Sequence, residues 1–357
     1  MPGITLNGNY YSYENLREKL FRENASAFEK TTLEFCHAWL NDQNEFTIQT
    51  SGSTGAPKSI ALLRAQMEVS ARQTIQALHL RSSDTSLVCL DTKYIAGQMM
   101  LVRSMVLGMN ATVVEPSANP FDSIGEQQTI DFVALVPYQL ENILDNTPEN
   151  LNKVRCAIIG GAPVNLSLKE KVKKSACAIY ATYGMTETIS HIALQKMNGT
   201  DAQEYFDAFD DIDLRLDDRG CLIIKTVYLN EIITNDLVEL VDKRKFKWLG
   251  RIDNVINSGG VKVIPEKVEA VFERVLIGHS ISQRFFIGSL IDEKLGQRVI
   301  MIVEGAAFAS DLQDQILTMA SLHLTKYELP KELKFVNTFV ETASGKINRF
   351  ATLSMLS

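Results

Sequence analysis

No stretch of this chain is apolar for the roughly 18–20 residues that a membrane-spanning helix needs; the run LVRSMVLGM is short and carries Arg103. The opening residues MPGITLNGNYYSYENLREKL lack both a basic n-region and an apolar core, so no export signal is expected and the expected compartment is the cytosol. Basic charge is not in excess either. With 36 Lys and Arg against 43 Asp and Glu, the net charge of −7 disfavours a broad nucleic-acid surface, although a phosphate-bearing small molecule needs only a few local donors. The five cysteines, Cys36, Cys89, Cys156, Cys177 and Cys221, are scattered without C-x-x-C spacing. An odd, dispersed set argues against a disulfide framework and a zinc site and points to buried free thiols. Internal repeats and low-complexity tracts are also missing.

What is present is a regular alternation. At 357 residues the chain is long for a single domain, and two or three are expected. Runs rich in β-branched residues (TSLVCLD, NATVVEP, DFVALVP, VRCAIIGG, CAIYATYG) alternate with helical patterns near GQMMLVRSMVLG, DSIGEQQT and LSLKEKVKKS. This predicts an α/β fold: a large N-terminal domain with mostly parallel, covered sheets. Ligands bind beyond the carboxyl ends of such strands, and here several strands end in small or polar clusters. From about residue 210 the pattern changes to strands joined by short turns, with Asp217, Asp218, Arg219 and Gly220 as one turn. A fresh unit follows GRIDN, with helices at PEKVEAVFERVL and ASDLQDQILTMASLHL and strands at SQRFFIGSLI, RVIMIVEG and LKFVNTF. The predicted boundary lies at Arg251 to Asn254, ahead of a small C-terminal α+β domain.

The stretch TSGSTGAPKS, residues 50–59, comes close to the phosphate-cradling pattern G-x-x-x-x-G-K-S/T, but Pro57 stands where the second glycine belongs. Proline supplies no amide, and KSIALL alternates like a strand before helical spacing starts near Arg64. The expectation is a loop between two strands. Gly52 and Gly55 let the backbone turn inward, and Ser51, Ser53 and Thr54 offer hydroxyl donors. A plain flexible hairpin loop is the competing reading.

This loop resembles the phosphate-binding loop of the adenylate-forming superfamily, which includes acyl-CoA synthetases, peptide-synthetase adenylation domains and luciferases. Four further stretches resemble that family in its order: IIGGAPV, YGMTET, TNDLVEL followed by GRIDNVINSGGVKVIPEKVE, and TASGKINR. The resemblance implies an ATP- and magnesium-dependent acid:CoA ligase that first forms an acyl-adenylate and then a thioester with CoA. It assigns Thr50, Ser51, Gly52, Ser53, Thr54, Gly55 and Lys58 to the phosphates. Gly160, Gly161, Ala162, Pro163 and Tyr183 fall to the adenine side, with Tyr183 offering a flat face to the base, and Gly184 and Met185 belong to the nucleotide-binding core motif. Thr186 would meet the α-phosphate and Glu187 would hold magnesium, a hard cation suited to carboxylate oxygen. Asp236 and Arg251 would take the ribose, Lys346 would be the catalytic cation, and Ser258, Gly259 and Gly260 would line the pantetheine channel. Family members usually have glycine before the ribose aspartate. Asn235 stands here, and its tolerance of left-handed backbone is expected to preserve a turn.

Two steps at one lysine imply motion. The resemblance divides the chain into residues 1–250, a hinge at 251–253 with Asp253 as pivot, and a mobile domain at 254–357. Only 49 residues precede the phosphate loop, fewer than is usual in the family, so a trimmed N-terminal subdomain is expected. Together with DTKYIAGQMM this resembles a short o-succinylbenzoate-CoA ligase of menaquinone biosynthesis. Gly97 and Gln98 match that subfamily's acyl-pocket run, whereas Tyr94 replaces its usual histidine. A second substrate carboxylate needs a donor, for which Lys93, Arg103 and His191 are the candidates. The ordinary readings are solvated or salt-bridged roles for the two cations and a satisfied structural histidine. Ligases for another aryl or fatty acid, a stand-alone domain loading a carrier protein's phosphopantetheine, and a homo-oligomeric state all stay open.

Overall fold

The computed structural model describes residues 2–49, 59–125, 128–341 and 347–356. The chain forms two compact units: one comprises Met1–Asp213, Lys225–Ile232 and Asp242–Lys245, and the other Leu214–Ile224, Ile233–Val241 and Phe246–Ser357. Among the described residues no helix is long and apolar enough to cross a membrane.

The first unit opens with a hairpin of β1 (Gly3–Leu6) and β2 (Asn9–Ser12), followed by α1 (Tyr13–Arg17) and α2 (Ala27–Leu40). The second of these helices starts at a reciprocal cap: Glu29 N–H donates to Ser26 Oγ (3.2 Å) and Ser26 N–H to Glu29 Oε2 (2.7 Å). Next come β3 (Glu45–Gln49), β4 (Ser59–Leu63) and α3 (Arg64–Ala77). Then strands and helices alternate: β5 (Thr85–Val88), α4 (Ile95–Leu107), β6 (Asn110–Val113), β7 (Phe132–Leu135), α5 (Pro137–Asn146), α6 (Pro148–Asn152), β8 (Cys156–Ile159), α7 (Leu166–Val172) and β9 (Ala178–Gly184). β10 (His191–Lys196) and β11 (Phe206–Ala208) complete the unit.

These strands lie in the order β11-β10-β9-β8-β7-β5-β6-β1-β2. Neighbours from β1 to β9 are parallel, and β2, β10 and β11 are attached antiparallel. Every residue of β7 and β8 is buried, as expected for strands covered on both faces. Leu140, Ile143, Leu151, Leu168 and Val172 from α5–α7 pack against Leu87, Val133, Leu135, Ile159 and Ile179 of the sheet. α4 also lies against β5 and β6. It is buried almost all round from Gly97 to Ser104 and stops at Gly108, whose φ of 73° suits glycine. A buried contact between Ser86 and Ser104 hydroxyls (2.7 Å) ties it to β5.

The helix expected near DSIGEQQT is not formed among the described residues. A short 3-10 turn, Pro120–Ser123, takes its place. Asn119 caps this turn through Phe121 N–H (3.3 Å), and its amide also holds Asp122 and Thr147, so local polar groups are satisfied without a longer helix.

In the second unit, β12 (Asp213–Leu216), β13 (Cys221–Lys225), β14 (Ile232–Leu240) and β15 (Lys245–Arg251) lie side by side, with the expected turn at Asp217–Gly220. A smaller sheet contains β16 (Ile256–Ser258), β17 (Val261–Val263), β18 (Phe285–Asp292), β19 (Gly296–Glu304) and β20 (Leu333–Val336). Alternation along β19 explains how it is covered. Val299, Met301 and Val303 join Val268, Phe272 and Ile316 of α8 (Pro265–Gly278) and α9 (Ser310–Ser321). Ile300 and Ile302 face the other way, toward Phe339 and Leu353, the latter on α10 (Arg349–Ser354). The five cysteines are buried free thiols, as their scatter implied.

Candidate active site

In the first unit the described residues predicted to bind nucleotide, Gly160–Pro163 and Tyr183–Glu187, lie at or beyond the carboxyl ends of two adjacent parallel strands, β8 and β9. Gly160 follows β8, and its N–H donates to Leu135 O (3.1 Å). A Cβ there would lie 2.5 Å from Thr182 Oγ1, so only glycine fits the approach to β9. Gly161, Ala162 and Pro163 are exposed before Asn165 caps α7. At the end of β9, a Cβ on Gly184 would meet Ser190 O at 2.4 Å and His191 Cα at 2.5 Å. Tyr183 is buried, its ring 5.8 Å from that of Phe206.

Met185 through Ser190 form a tight turn. Thr188 supplies the side-chain cap: its Oγ1 accepts from Met185 N–H (2.8 Å), and its own N–H donates to Met185 O (3.1 Å). Ile189 has φ 69° and ψ −52°, and Ser190 N–H donates across it to Thr188 O (2.8 Å). A β-branched residue in this conformation is strained by about 1–3 kcal/mol, a cost that persists only where the surroundings over-determine it. The turn leaves Thr186 half-buried and Glu187 exposed. Among the described residues no group of three His, Cys, Asp or Glu side chains could hold a metal. A lone outward carboxylate nevertheless suits magnesium, which takes one or two protein carboxylates and completes its shell with phosphate and water.

Behind this turn lies a buried polar cluster. Arg103, at the middle of α4, is 2% exposed and donates from Nη2 to Ser190 Oγ (2.8 Å). Its Nε has no acceptor, and among the described residues no carboxylate pairs with it. It is therefore neither solvated nor salt-bridged, contrary to the ordinary reading of an arginine. Burial pushes its pKa down to about 9, still well above neutrality. His191 is buried on β10 with Nε2 3.0 Å from Thr74 Oγ1 and Nδ1 3.4 Å from Ser190 Oγ. Burial first, and then the Arg103 charge, hold its pKa well below the ordinary imidazole value. Gly97 fits tightly in the first turn of α4, where a Cβ would lie 2.6 Å from Asp91 O. Gln98 is buried with Oε1 unpartnered. Tyr94 and Lys93 are exposed beside it, Lys93 bound to Asp91 (2.9 Å) as a salt-bridged residue should be.

The second unit brings Asp236 and Arg251 together. They are directly opposed in the β14–β15 ladder, with Arg251 Nη1 3.6 Å from Asp236 Oδ1. Trp248 Nε1 donates to the same oxygen (3.2 Å). The turn expected at Asn235–Asp236 does not exist. Both lie within β14, so no left-handed residue is required, and the Asn235 amide instead donates to the Asp253 carboxylate (3.0 and 3.2 Å). Arg251 Nη2 holds Asp253 as well (2.7 Å). Gly259 and Gly260, with φ of 58° and 82°, make the two-residue turn between β16 and β17, where two positive φ angles match strand twist. Ser258 is wholly buried and its Oγ is unpartnered, so it presents no open face within this unit.

Thr50, Ser51, Gly52, Ser53, Thr54, Gly55, Lys58 and Lys346 lie outside the described residues. Their flanks are described. Gln49 and Ser59 are paired across β3 and β4, so the loop's neighbours are strands as expected. Glu341 and Ile347 form an antiparallel bridge, and Arg349 pairs with Glu269 (2.8 Å). Sequence reasoning missed Ser190, Thr74, Thr188 and Trp248. Thr188 caps its own turn, whereas only register and helix packing bring the other three to their partners.

The family described as AMP-binding enzyme matches residues 13–208. Curated relatives named 2-succinylbenzoate–CoA ligase include those of Bacillus pumilus, 25% identical over 86% of this chain and 68% of that protein, and of a Geobacillus species, 27% identical over 91% and 71%. Among solved structures, an acyl-CoA synthetase (AMP-forming)/AMP-acid ligase II-like protein from Dyadobacter fermentans is 38% identical, covers 95% of this chain and 97% of its own, and has a TM-score of 0.64. The o-succinylbenzoate CoA synthetase of Bacillus subtilis, in complex with its acyl-adenylate intermediate, shares the fold at 21% identity and a TM-score of 0.73, covering 85% and 68%.

Proposed function

Since the chain belongs to the AMP-binding enzyme family, we propose that it adenylates o-succinylbenzoate with ATP and transfers the acyl group to CoA. The observation that carries the choice of acid is Arg103. It is a buried guanidinium with no carboxylate partner among the described residues, suited to the second carboxylate of a diacid. The names of the curated relatives support the same acid.

In the first step a carboxylate oxygen attacks the α-phosphorus of ATP and the bond to pyrophosphate breaks. Two anions meet there, so the chain must supply positive charge and donors. Lys346 takes that role, with the loop Thr50–Gly55 and Lys58 holding the departing phosphates and Thr186 donating to the α-phosphate. Magnesium bound at Glu187 would neutralise phosphate charge. Gly160–Pro163 and Tyr183–Met185 border the adenine, and Asp236 accepts from the ribose hydroxyls beside Arg251. In the second step the CoA sulfur attacks the acyl carbon and AMP leaves. Lys346 must withdraw first, which assigns Asp253 as the pivot between residues 1–250 and 254–357 and sets Ser258–Gly260 along the pantetheine path.

The test is acid-dependent pyrophosphate release across a carboxylate panel, with and without CoA. Selective response to o-succinylbenzoate supports the proposal. A preference for monocarboxylates overturns the acid, and thioester formation only on a carrier protein overturns the acceptor.

A further inference from the structure

We propose that Ser190 is a positioning residue for substrate choice: its hydroxyl fixes the direction of the Arg103 guanidinium toward the second carboxylate of the acid. The inference rests on the diacid reading above and adds a residue to it.

The first support is the hydrogen-bond chain. Thr74 Oγ1 lies 3.2 Å from Ser70 O, to which it donates its single proton. Its lone pair is then open to His191 Nε2–H at 3.0 Å. A neutral imidazole protonated at Nε2 presents Nδ1 as an acceptor, and the Ser190 hydroxyl at 3.4 Å is its donor. That leaves the Ser190 oxygen to accept from Arg103 Nη2 at 2.8 Å. Each of the four hydrogen bonds that run from Arg103 Nη2 through Ser190, His191 and Thr74 to the Ser70 carbonyl then has one donor and one acceptor, in a consistent direction. The protein thus fixes one corner of the guanidinium. Its Nε is left without an acceptor, and the described residues around it supply no carboxylate. A rigid planar fork held at one corner and unsatisfied at Nε is complementary to a bidentate oxyanion.

The second support is the place of Ser190 in the chain. Its N–H and C=O are both held by Thr188, the carbonyl through Thr188 Oγ1 (2.7 Å), and the carbonyl also abuts Gly184. The strained Ile189 joins it to Thr186 and Glu187. One turn therefore carries the residues proposed for phosphate at one end and the guide for the acyl-side cation at the other.

The experiment compares the wild type with Ser190→Ala, Ser190→Thr and Arg103→Met on o-succinylbenzoate and on the same acid with its non-reacting carboxylate converted to a methyl ester. Loss of a hydrogen bond to a charged group predicts that Ser190→Ala raises KM for the diacid relative to the ester about tenfold to a hundredfold, with kcat changed less. Ser190→Thr restores the ratio. An unchanged ratio in Ser190→Ala, or equal loss on both acids, overturns the role. If Ser190→Ala fails to fold, Ser190→Cys, which keeps the volume but accepts hydrogen bonds weakly, must show the same shift in ratio. Arg103→Met separates the two levels. If it discriminates between the acids while Ser190→Ala does not, only the positioning role falls; if neither discriminates, the diacid reading falls too.

Discussion

Arg103→Met should make the protein more stable and less useful. At neutral pH the guanidinium is charged, because its depressed pKa of about 9 is still above 7, yet it is 2% exposed and has no carboxylate among the described residues. Desolvating an ion costs several kcal/mol, and replacing buried charges with apolar side chains of similar size has stabilised proteins by about 1–4 kcal/mol. Loss of the Ser190 bond offsets roughly 1 kcal/mol of that gain. A net of up to about 3 kcal/mol in a unit of this size corresponds to a Tm rise of up to roughly 10 °C. Differential scanning calorimetry measures it directly, and kcat/KM for the diacid, expected to fall at least about a hundredfold, is read on the same preparation. The diacid should also raise the Tm of the wild type more than its monoester does, since only a ligand that binds the folded state stabilises it. A lower Tm for Arg103→Met would refute the reasoning, because it would mean that the protein itself satisfies the guanidinium.

Gly184→Ala places a Cβ 2.4 Å from a backbone oxygen that cannot swing away, so thermal unfolding should show a loss of about 1–3 kcal/mol. Gly278→Ala, which meets nothing within 4 Å, should show no such loss. His191 titrates below its ordinary value of 6.5 in the folded chain, so the unfolded chain takes up the extra proton as pH falls through that range. Stability should therefore decline below about pH 6.5, and His191→Gln should flatten the slope of Tm against pH; an unchanged slope would place the titrating group elsewhere. Lys346→Ala should depress acyl-adenylate formation by several orders of magnitude while largely sparing thioester formation from supplied acyl-adenylate. Equal loss of both half-reactions would rule out alternation.

Much of the fold was written locally. Short apolar runs rich in β-branched residues fix β5 to β8, which are buried along nearly their whole length, alternation fixes β9, and the 3.6-residue period fixes α7 to α9. α4 was legible through its length and its closing Gly108, even though it is apolar nearly all round. The helix expected at DSIGEQQT failed because Asn119 settles that segment's polar groups in a short turn. Candidate site residues could be named from the sequence wherever a motif is continuous, as in Gly160–Pro163 and Tyr183–Glu187. It was not legible where partners meet across folded space. Ser190 is 87 positions from Arg103, and Trp248 reaches Asp236 only because β14 and β15 pair in a shifted register. Asn235 shows the opposite failure. Its backbone tolerance was the obvious property, whereas its side-chain amide is what the fold uses.

An acyl-adenylate is an electrophile that would acylate any accessible thiolate, including those of the protein that made it. The burial of Cys36, Cys89, Cys156, Cys177 and Cys221 removes that hazard, and burial also raises Cys36, Cys89 and Cys177 to about 12 and Cys156 to about 11, so they stay protonated. The same silence toward electrophiles has a practical side. Cysteines introduced by Tyr138→Cys and Ile291→Cys, at sites 67% and 93% exposed, would be the thiols that a maleimide finds first. A fluorophore pair attached there, one in each compact unit, would report the proposed alternation in an otherwise unaltered chain.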